Sequence, residues 1–188
     1  MAEAAIFIIV VGALVIVLFS VFDLYWIDPR VVISILALLI LPGMYAAFTS
    51  GPFVPSARKR HKTMLKLADL SDSDTVYDLG CGDGRLVFSA SKLAKKAIGY
   101  DLSIPLVLYG KLLSLFYPRA SIRFGNIWKQ DYSDATVIFC YLLPGAMKQF
   151  HKEVWPKLKP GTRVISNGFA IHQINPHEVE EGVYRYMK

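Results

Sequence analysis

The chain has 188 residues, of which 54% are hydrophobic and 19% are charged, and its formal net charge is +6. Soluble domains are on average about 25% charged, so this composition excludes a disordered tail, an acidic solvating protein and a collagen-like fibre. Two cysteines in a chain of this length also exclude a disulfide scaffold. Only four charged residues fall in the first fifty positions, which gives that segment a net charge of −2 and the remainder +8. The two parts therefore suit two different solvent environments.

The first fifty residues contain two uncharged runs, Ala4 to Phe22 and Val31 to Phe48. At 1.5 Å per residue the first run would span roughly 28 Å, about the thickness of a bilayer core. Neither run shows an amphipathic stripe, and the N-terminus lacks the basic region and cleavage site of a signal peptide. We therefore predict a transmembrane helical hairpin over residues 1–50, with Tyr25 and Trp26 of its short linker suited to the headgroup layer.

A basic cluster follows the second uncharged run. It contains Arg58, Lys59, Arg60, Lys62 and Lys66. By the positive-inside rule, this cluster predicts an integral membrane protein with its larger domain on the cytoplasmic side, or on the matrix side of a mitochondrial membrane. Anionic lipid is the expected partner of the cluster, and a nucleic-acid patch is the less favoured alternative.

Residues 51–188 alternate between strand-like and helix-like patterns. The predicted helices run from Ser56 to Ala68, Arg85 to Lys95, Ser103 to Tyr117 and Pro144 to Trp155. The predicted strands are Thr75–Asp78, Ala97–Asp101, Ser121–Phe124, Ala135–Cys140 and Thr162–Ser166. Strands separated by helices imply right-handed crossovers and one mostly parallel sheet, so the fold class is α/β. Gly182 and the alternating tyrosines after it predict an antiparallel hairpin at the C-terminus.

A glycine-rich loop stands where the first predicted strand gives way to a helix. After Asp78, glycines recur at Gly80, Gly82 and Gly84. Glycine accepts a positive φ and lets the backbone approach a ligand closely, and the helix that follows offers unpaired amides. The dinucleotide fingerprint needs a glycine at the position that Arg85 occupies, which disfavours a nicotinamide-dependent oxidoreductase. Acidic residues in the loop instead suit a cationic ligand.

This glycine spacing, with an acid two residues before the first glycine, resembles motif I of class I S-adenosylmethionine-dependent methyltransferases. The resemblance implies a Rossmann-like sheet and S-adenosylmethionine as the cofactor, held by Asp78 and by the loop from Gly80 through Cys81 and Gly82 to Gly84. It also implies that Asp101, at the end of the second strand, accepts hydrogen bonds from the ribose. Asn126 and Ile127, after the third strand, would contact the adenine.

A narrower resemblance lies in Gly51–Ser56, Tyr77–Arg85, Ala97–Asp101 and Ile127–Lys129. These segments are similar to the small membrane-anchored protein-lysine methyltransferases that act on the ATP synthase c subunit and the adenine nucleotide translocase. The similarity implies that Phe53 and Pro55 pack over the cofactor, and that the acceptor is a lysine of a membrane-associated protein. Those relatives usually have Glu at position 101 and Asp at 126.

Tyr141, after the fourth predicted strand, is our candidate for lining the acceptor channel. An apolar, aromatic channel would lower the pKa of a lysine acceptor, so no dedicated base is assigned. The four histidines show no metal-ligand spacing, and no metal is expected. Two alternatives stay open: a lipid or quinone headgroup as acceptor, and a non-catalytic membrane module that keeps a cofactor-binding fold.

Overall fold

The computed structural model describes residues 28–49 and 58–188. The chain divides into two compact units, Met1–Leu38 and Leu39–Lys188. Helix α1 (Pro29–Thr49) begins in the first unit, where the Asp28 carboxylate accepts a hydrogen bond from the Arg30 amide at 2.8 Å. The second unit contains the sheet and every candidate site residue that the structure describes.

The transmembrane hairpin is a prediction that the structure corrects. Across residues 28–49 and 58–188, no helix combines the length and the apolar character that crossing a membrane requires, so the predicted integral membrane protein is wrong. The run Ala4–Phe22 and the linker aromatics lie outside the described residues. The run Val31–Phe48 forms α1, but Pro42 stands inside that helix, and a Cβ on Gly43 would lie 3.6 Å from Ser103 of the same unit. A lack of charge does not distinguish a helix that packs on protein from one in lipid.

The second unit alternates helices and strands as predicted. Its helices are α2 (Arg58–Ala68), α3 (Arg85–Ala90), α4 (Ile104–Ser114) and α5 (Pro144–Glu153). Its strands are β1 (Thr75–Leu79), β2 (Lys96–Asp101), β3 (Ala120–Phe124), β4 (Val137–Cys140), β5 (Arg163–Asn167), β6 (Glu178–Glu180) and β7 (Val183–Met187). Short 3-10 turns occupy Ile127–Lys129 and Trp155–Lys157. The five predicted strands and the closing hairpin are thus confirmed.

Two predicted helices end three or more residues earlier than expected. Helix α3 stops at Ala90, where the Ser91 hydroxyl donates to the Phe88 carbonyl at 2.8 Å. Helix α4 stops at Ser114, whose hydroxyl donates to the Lys111 carbonyl at 2.7 Å. Serine competes with the helical backbone for hydrogen bonds, which explains why hydrophobic spacing overestimates both lengths.

The sheet has seven strands in the order β3-β2-β1-β4-β5-β7-β6. Strand β1 pairs in parallel with both β2 and β4, whereas β7 runs antiparallel to β5 and β6. The chain adds strands on one side of β1 up to β3 and then returns to the other side with β4. This reversal leaves a crevice at the carboxyl ends of β1 and β4, where open α/β sheets bind ligands.

Buried side chains cover both faces of the sheet. In β1, Tyr77 and Leu79 belong to one apolar cluster, whereas Val76 points to the other. The first cluster lies under α5, with Met147 and Phe150 fully buried in it. The second cluster lies under α2, α3 and α4. Because both faces are covered, the parallel strands are continuous apolar runs.

Candidate functional site

The glycine loop between β1 and α3 has a backbone conformation that requires glycine. Gly80, Gly82 and Gly84 have φ values of 80°, 56° and 80°, in the left-handed region that other residues adopt only with strain. The amides of Gly80 and Cys81 both donate to the Tyr100 carbonyl, at 2.9 and 3.1 Å. The loop is therefore fixed to the end of β2 and exposes its backbone at the crevice.

Asp101, the last residue of β2, connects the glycine loop to the start of α4. Its Oδ2 accepts a hydrogen bond from the Gly82 amide at 2.8 Å, and its Oδ1 accepts one from the Ser103 amide at 2.7 Å. Each carboxylate oxygen keeps a second lone pair. The structure therefore places Asp101 beside the loop, as predicted, with acceptor capacity left for the two hydroxyls of a ribose.

Asp78 lies beneath the loop as a buried carboxyl group, 6% exposed. Burial, and then the negative charges of Asp101 and Asp83, raise the pKa of Asp78 to about 8. The charge of Asp83 is partly balanced by Arg85, which forms an ion pair with it. A positively charged ligand would lower the pKa of Asp78 again, because an opposite charge favours the ionised form. The three carboxyl groups around the loop therefore fit a ligand that brings a positive charge, as S-adenosylmethionine does.

Asn126 and Ile127 follow β3 at the same edge of the sheet. The Asn126 Oδ1 accepts a hydrogen bond from the Trp128 amide at 2.9 Å and so caps the 3-10 turn. Within residues 28–49 and 58–188, its amide NH₂ makes no hydrogen bond, and its Oδ1 keeps a second lone pair. Ile127 is buried, 6% exposed, and provides the apolar neighbour. Asn126 thus keeps both a donor and an acceptor, and its contact with an adenine edge stays a prediction.

Gly99 of β2 and Gly84 of the loop determine how the loop packs. A Cβ on Gly99 of β2 would lie 2.6 Å from both Cβ and Sγ of Cys81 and 2.8 Å from Val87. The Cys81 side chain therefore fills the space beside Gly99, and Cys81 reaches the crevice only through its backbone. A Cβ on Gly84 would lie 2.8 Å from Ile122, so that glycine serves close packing of helix on strand. Sequence reasoning missed Gly99, although a glycine inside a strand is itself a signal of close approach.

Tyr141 stands directly after β4, and its ring stacks with that of Phe169, which follows β5. The ring centroids are 6.4 Å apart with an interplanar angle of 24°. A Cβ on Gly168 would lie 3.1 Å from Tyr141 Cε2, so the glycine allows the two rings to approach. The Ser166 hydroxyl donates to the Phe169 carbonyl at 2.5 Å and holds the turn. We call Tyr141, Gly168 and Phe169 the aromatic wall; sequence reasoning found only its tyrosine.

Phe53 and Pro55 lie outside the described residues, so their predicted contact with the cofactor stays a prediction. Cys140 is completely buried, and burial raises the pKa of its thiol to about 12. Cys81 and Cys140 are both free thiols.

Comparison of the sequence with known families and proteins identifies methyltransferases as its relatives. The family described as "ANTKMT methyltransferase domain" matches residues 78–178. The chain is 41% identical over 133 residues to a protein-lysine N-methyltransferase of Saccharolobus islandicus, covering 68% of this chain and 83% of that protein. It is 29% identical over 136 residues to the human enzyme named as a lysine N-methyltransferase of the ATP synthase c subunit; the match covers 70% of this chain and 58% of the human protein. The chain thus spans about three fifths of the length of the vertebrate relatives it matches.

Solved structures agree on the fold. An RNA methyltransferase from Salinibacter ruber in complex with S-adenosyl-L-homocysteine has a TM-score of 0.67 and 32% identity, covering 71% of this chain and 93% of that one. A SAM-dependent methyltransferase from Thiobacillus denitrificans, also with S-adenosyl-L-homocysteine, has a TM-score of 0.51 and 17% identity, covering 60% and 49%. The second likeness bears on the fold alone.

Proposed function

Because this chain belongs to the ANTKMT methyltransferase domain family, and is an S-adenosylmethionine-dependent methyltransferase, we propose that it methylates the ε-amino group of a lysine in a protein. The observation that carries the proposal is the aromatic wall of Tyr141 and Phe169, which stands at the carboxyl edge of the sheet beside the glycine loop. The names of the relatives from Saccharolobus islandicus and from vertebrates, which specify lysine, support the same acceptor.

The residues of the crevice fit the cofactor. The backbone from Gly80 to Gly84 would hold its amino acid part, Asp101 its ribose, and the Asn126 amide with Ile127 its adenine. When bound, the cofactor supplies an electrophilic methyl group on a cationic sulfur. The protein's contribution is to bind both partners in line and to exclude water, and these two effects account for most of the catalysis that such a displacement needs.

A lysine acceptor must reach the site as a neutral amine, although its ordinary pKa is about 10.4. The rings of Tyr141 and Phe169, with the partly exposed Leu143, form an apolar surface that would desolvate the ammonium and lower its pKa. After transfer, the methylated ammonium can contact a ring face by cation–π attraction. This arrangement needs no dedicated general base, since the proton leaves to solvent before the amine is enclosed.

RNA is a second candidate acceptor, favoured by the likeness to the Salinibacter ruber enzyme. The segment after β4 reads Cys140-Tyr141-Leu142-Leu143-Pro144, without the Asn/Asp-Pro-Pro-Tyr sequence typical of enzymes that methylate amino groups of DNA bases. We therefore rank lysine first and keep RNA as an outcome of the test.

The test incubates the full chain with tritium-labelled S-adenosylmethionine and a cell extract, which is then separated into soluble proteins, membrane proteins, lipid and RNA. Label on protein, with methyl-lysine identified by mass spectrometry, is the expected result. Label confined to RNA or to lipid would contradict the proposal. A membrane-associated acceptor and the anionic-lipid partner stay predictions, which the membrane-protein fraction and binding to anionic vesicles test.

Substitutions in the aromatic wall test the mechanism. We expect Tyr141→Ala to lower kcat/KM for the protein acceptor about tenfold or more through loss of the ring, while cofactor affinity is unchanged. Tyr141→Phe keeps the ring and should keep most of the activity. Phe116→Ala, which removes an exposed ring after α4, is the matched control. An unchanged kcat/KM in Tyr141→Ala would exclude the aromatic wall as the acceptor site.

A further inference from the structure

The basic residues of α2 fall on two faces with different partners. On one face, Lys59 and Lys66 form ion pairs of 2.6 Å with Glu181 and Glu180 of the β6–β7 hairpin. The Thr63 hydroxyl, between the two lysines, donates to Glu181 at 3.0 Å. This face is neutralised by the protein itself and serves to attach α2 to the edge of the sheet.

The other face of α2 lines a cavity that the protein leaves positively charged. His61 and Lys62 stand three and four positions after Arg58, so the three side chains share one side of the helix. Together with Arg85 they line a cavity of about 240 Å³, which we call the basic cavity. Arg58, Lys62 and Arg85 are exposed, so the basic cavity opens to solvent.

The charge of the basic cavity is poorly balanced. In the part of the chain that the structure describes, no carboxylate forms an ion pair with Arg58 or Lys62. Arg85 is paired with Asp83 and brings the only counter-charge nearby among those residues. His61, whose Nε2 lies 3.0 Å from the Ser89 hydroxyl, has its pKa lowered by burial and then by the positive charge of Arg85. The charges of Arg58 and Lys62 therefore favour a negatively charged ligand at this cavity.

The basic cavity lies close to both parts of the proposed active site. Arg85 directly follows Gly84 of the glycine loop. On the opposite side of the same turn of α2, Nη1 of Arg60 is 3.8 Å from the position of a Cβ on Gly168, in the aromatic wall. A helix with its side chains is about 10 Å across, so a peptide that follows its surface from the cavity to the wall covers a half-circumference of roughly 16 Å. An extended peptide covers this distance in about five residues.

We propose that the basic cavity binds a carboxylate of the acceptor protein, an Asp or Glu about five residues from the lysine that is methylated. This proposal rests on the proposed function and adds the feature by which the enzyme selects among lysines. Two arginines and a lysine around a space for one side chain suit a single carboxylate, which guanidinium groups bind through paired hydrogen bonds. Single-stranded nucleic acid is instead bound by a basic track interleaved with aromatic rings, and none of the four lining residues is Phe, Tyr or Trp.

A binding experiment tests the cavity independently of catalysis. The probe is a fluorescein-labelled, alanine-rich peptide with one central lysine and a glutamate five residues away, compared with the same peptide carrying glutamine. We expect the full chain to bind the glutamate peptide about tenfold more tightly, since a hydrogen bond to a charged group is worth about that factor. The double variant Arg58→Gln/Lys62→Gln should lose this preference, while Lys95→Gln, an exposed lysine outside the cavity, should keep it.

The remaining outcomes each support or overturn the proposal. Equal loss of binding in the double variant and in Lys95→Gln would show a general effect of net charge and overturn it. A selective loss of binding to oligouridylate, or to vesicles containing phosphatidylglycerol, with no loss for the glutamate peptide would overturn it in favour of those partners. In a methylation assay of the same peptides, the wild type should prefer the glutamate peptide, and the double variant should methylate both equally. A selective glutamate preference in binding without methylation of any peptide or protein would refute lysine methylation but support carboxylate binding by the cavity.

Discussion

The buried carboxyl group of Asp78 should make cofactor binding depend on pH. Burial and the neighbouring charges of Asp101 and Asp83 raise its pKa to about 8, so below that pH the cofactor-free protein holds a proton there. The positive charge of S-adenosylmethionine favours the ionised carboxylate, and binding must therefore release this proton. Affinity should then rise with pH until the carboxyl group is already ionised.

The size of the effect follows from the pKa. If the complex contains only the carboxylate, the protonated fraction weakens binding about 100-fold at pH 6 and about twofold at pH 8. The dissociation constant should therefore fall by about 50-fold between these two pH values. Asp78→Asn is a neutral isostere of the protonated form, which by this premise does not bind, so it should bind more weakly than the wild type already at pH 6, and the gap should widen about 50-fold by pH 8.

Isothermal titration calorimetry measures both quantities. Titrations in two buffers with different ionisation enthalpies count the protons released, and repeating them at several pH values gives the slope of the affinity. The amino group of the cofactor also titrates near pH 8, and the Asp78→Asn variant isolates the contribution of the protein. A wild type whose affinity and proton release match those of Asp78→Asn at every pH would refute this reasoning.

The same residue affects stability in the opposite direction. Because the pKa of Asp78 is raised in the folded state, the folded protein binds more protons than the unfolded chain between about pH 4 and pH 8. The contribution of Asp78 to the free energy of unfolding is complete below about pH 4 and is lost as the pH rises to about 8 and beyond. Saturation with the cofactor should remove part of this loss, because binding compensates the ionised carboxylate.

Three further substitutions have defined outcomes. Gly99→Ala should lower the free energy of unfolding, measured in urea, by about 1–3 kcal/mol, because its Cβ would lie 2.6 Å from a buried side chain, whereas Gly145→Ala, with nothing within 4 Å, should cost nothing. Asp101→Ala should weaken cofactor binding about tenfold or more, with an unchanged circular dichroism spectrum, because it removes the ribose acceptor; unaltered binding would exclude that role. Burial raises the pKa of Asp74, but its hydrogen bonds, which include one from Arg163, lower it below the ordinary value. Asp74→Asn should therefore cost about 2 kcal/mol of stability at neutral pH, and the difference should shrink as the pH falls below about 4 and the wild type is protonated.

Much of the architecture was predictable because its signals are local. A parallel strand buried on both faces is a continuous apolar run, and β4 is such a run in the printed sequence. The glycine loop was recognisable because only glycine adopts a positive φ readily, so the spacing of Gly80, Gly82 and Gly84 records a backbone conformation directly. The position of Asp101 at the end of β2 followed from the same strand pattern.

Other features depend on residues that are far apart in the chain. The uncharged run Val31–Phe48 was misjudged because hydrophobicity does not tell which surface a helix meets, and only the fold brings Gly43 against Ser103. The aromatic wall joins residues from the ends of β4 and β5, and their stacking depends on the register of two strands.

The sequence by itself therefore determined where the backbone turns and which strands are buried, since steric limits and apolar patterns act over a few residues. Only the tertiary structure decided which charges are neutralised. Lys59 and Lys62 are alike in the sequence, but Glu181, more than a hundred residues away, pairs with the first, and no described carboxylate pairs with the second. Electrostatic interactions depend on distance in space, and that distance exists only once the β6–β7 hairpin has packed against α2.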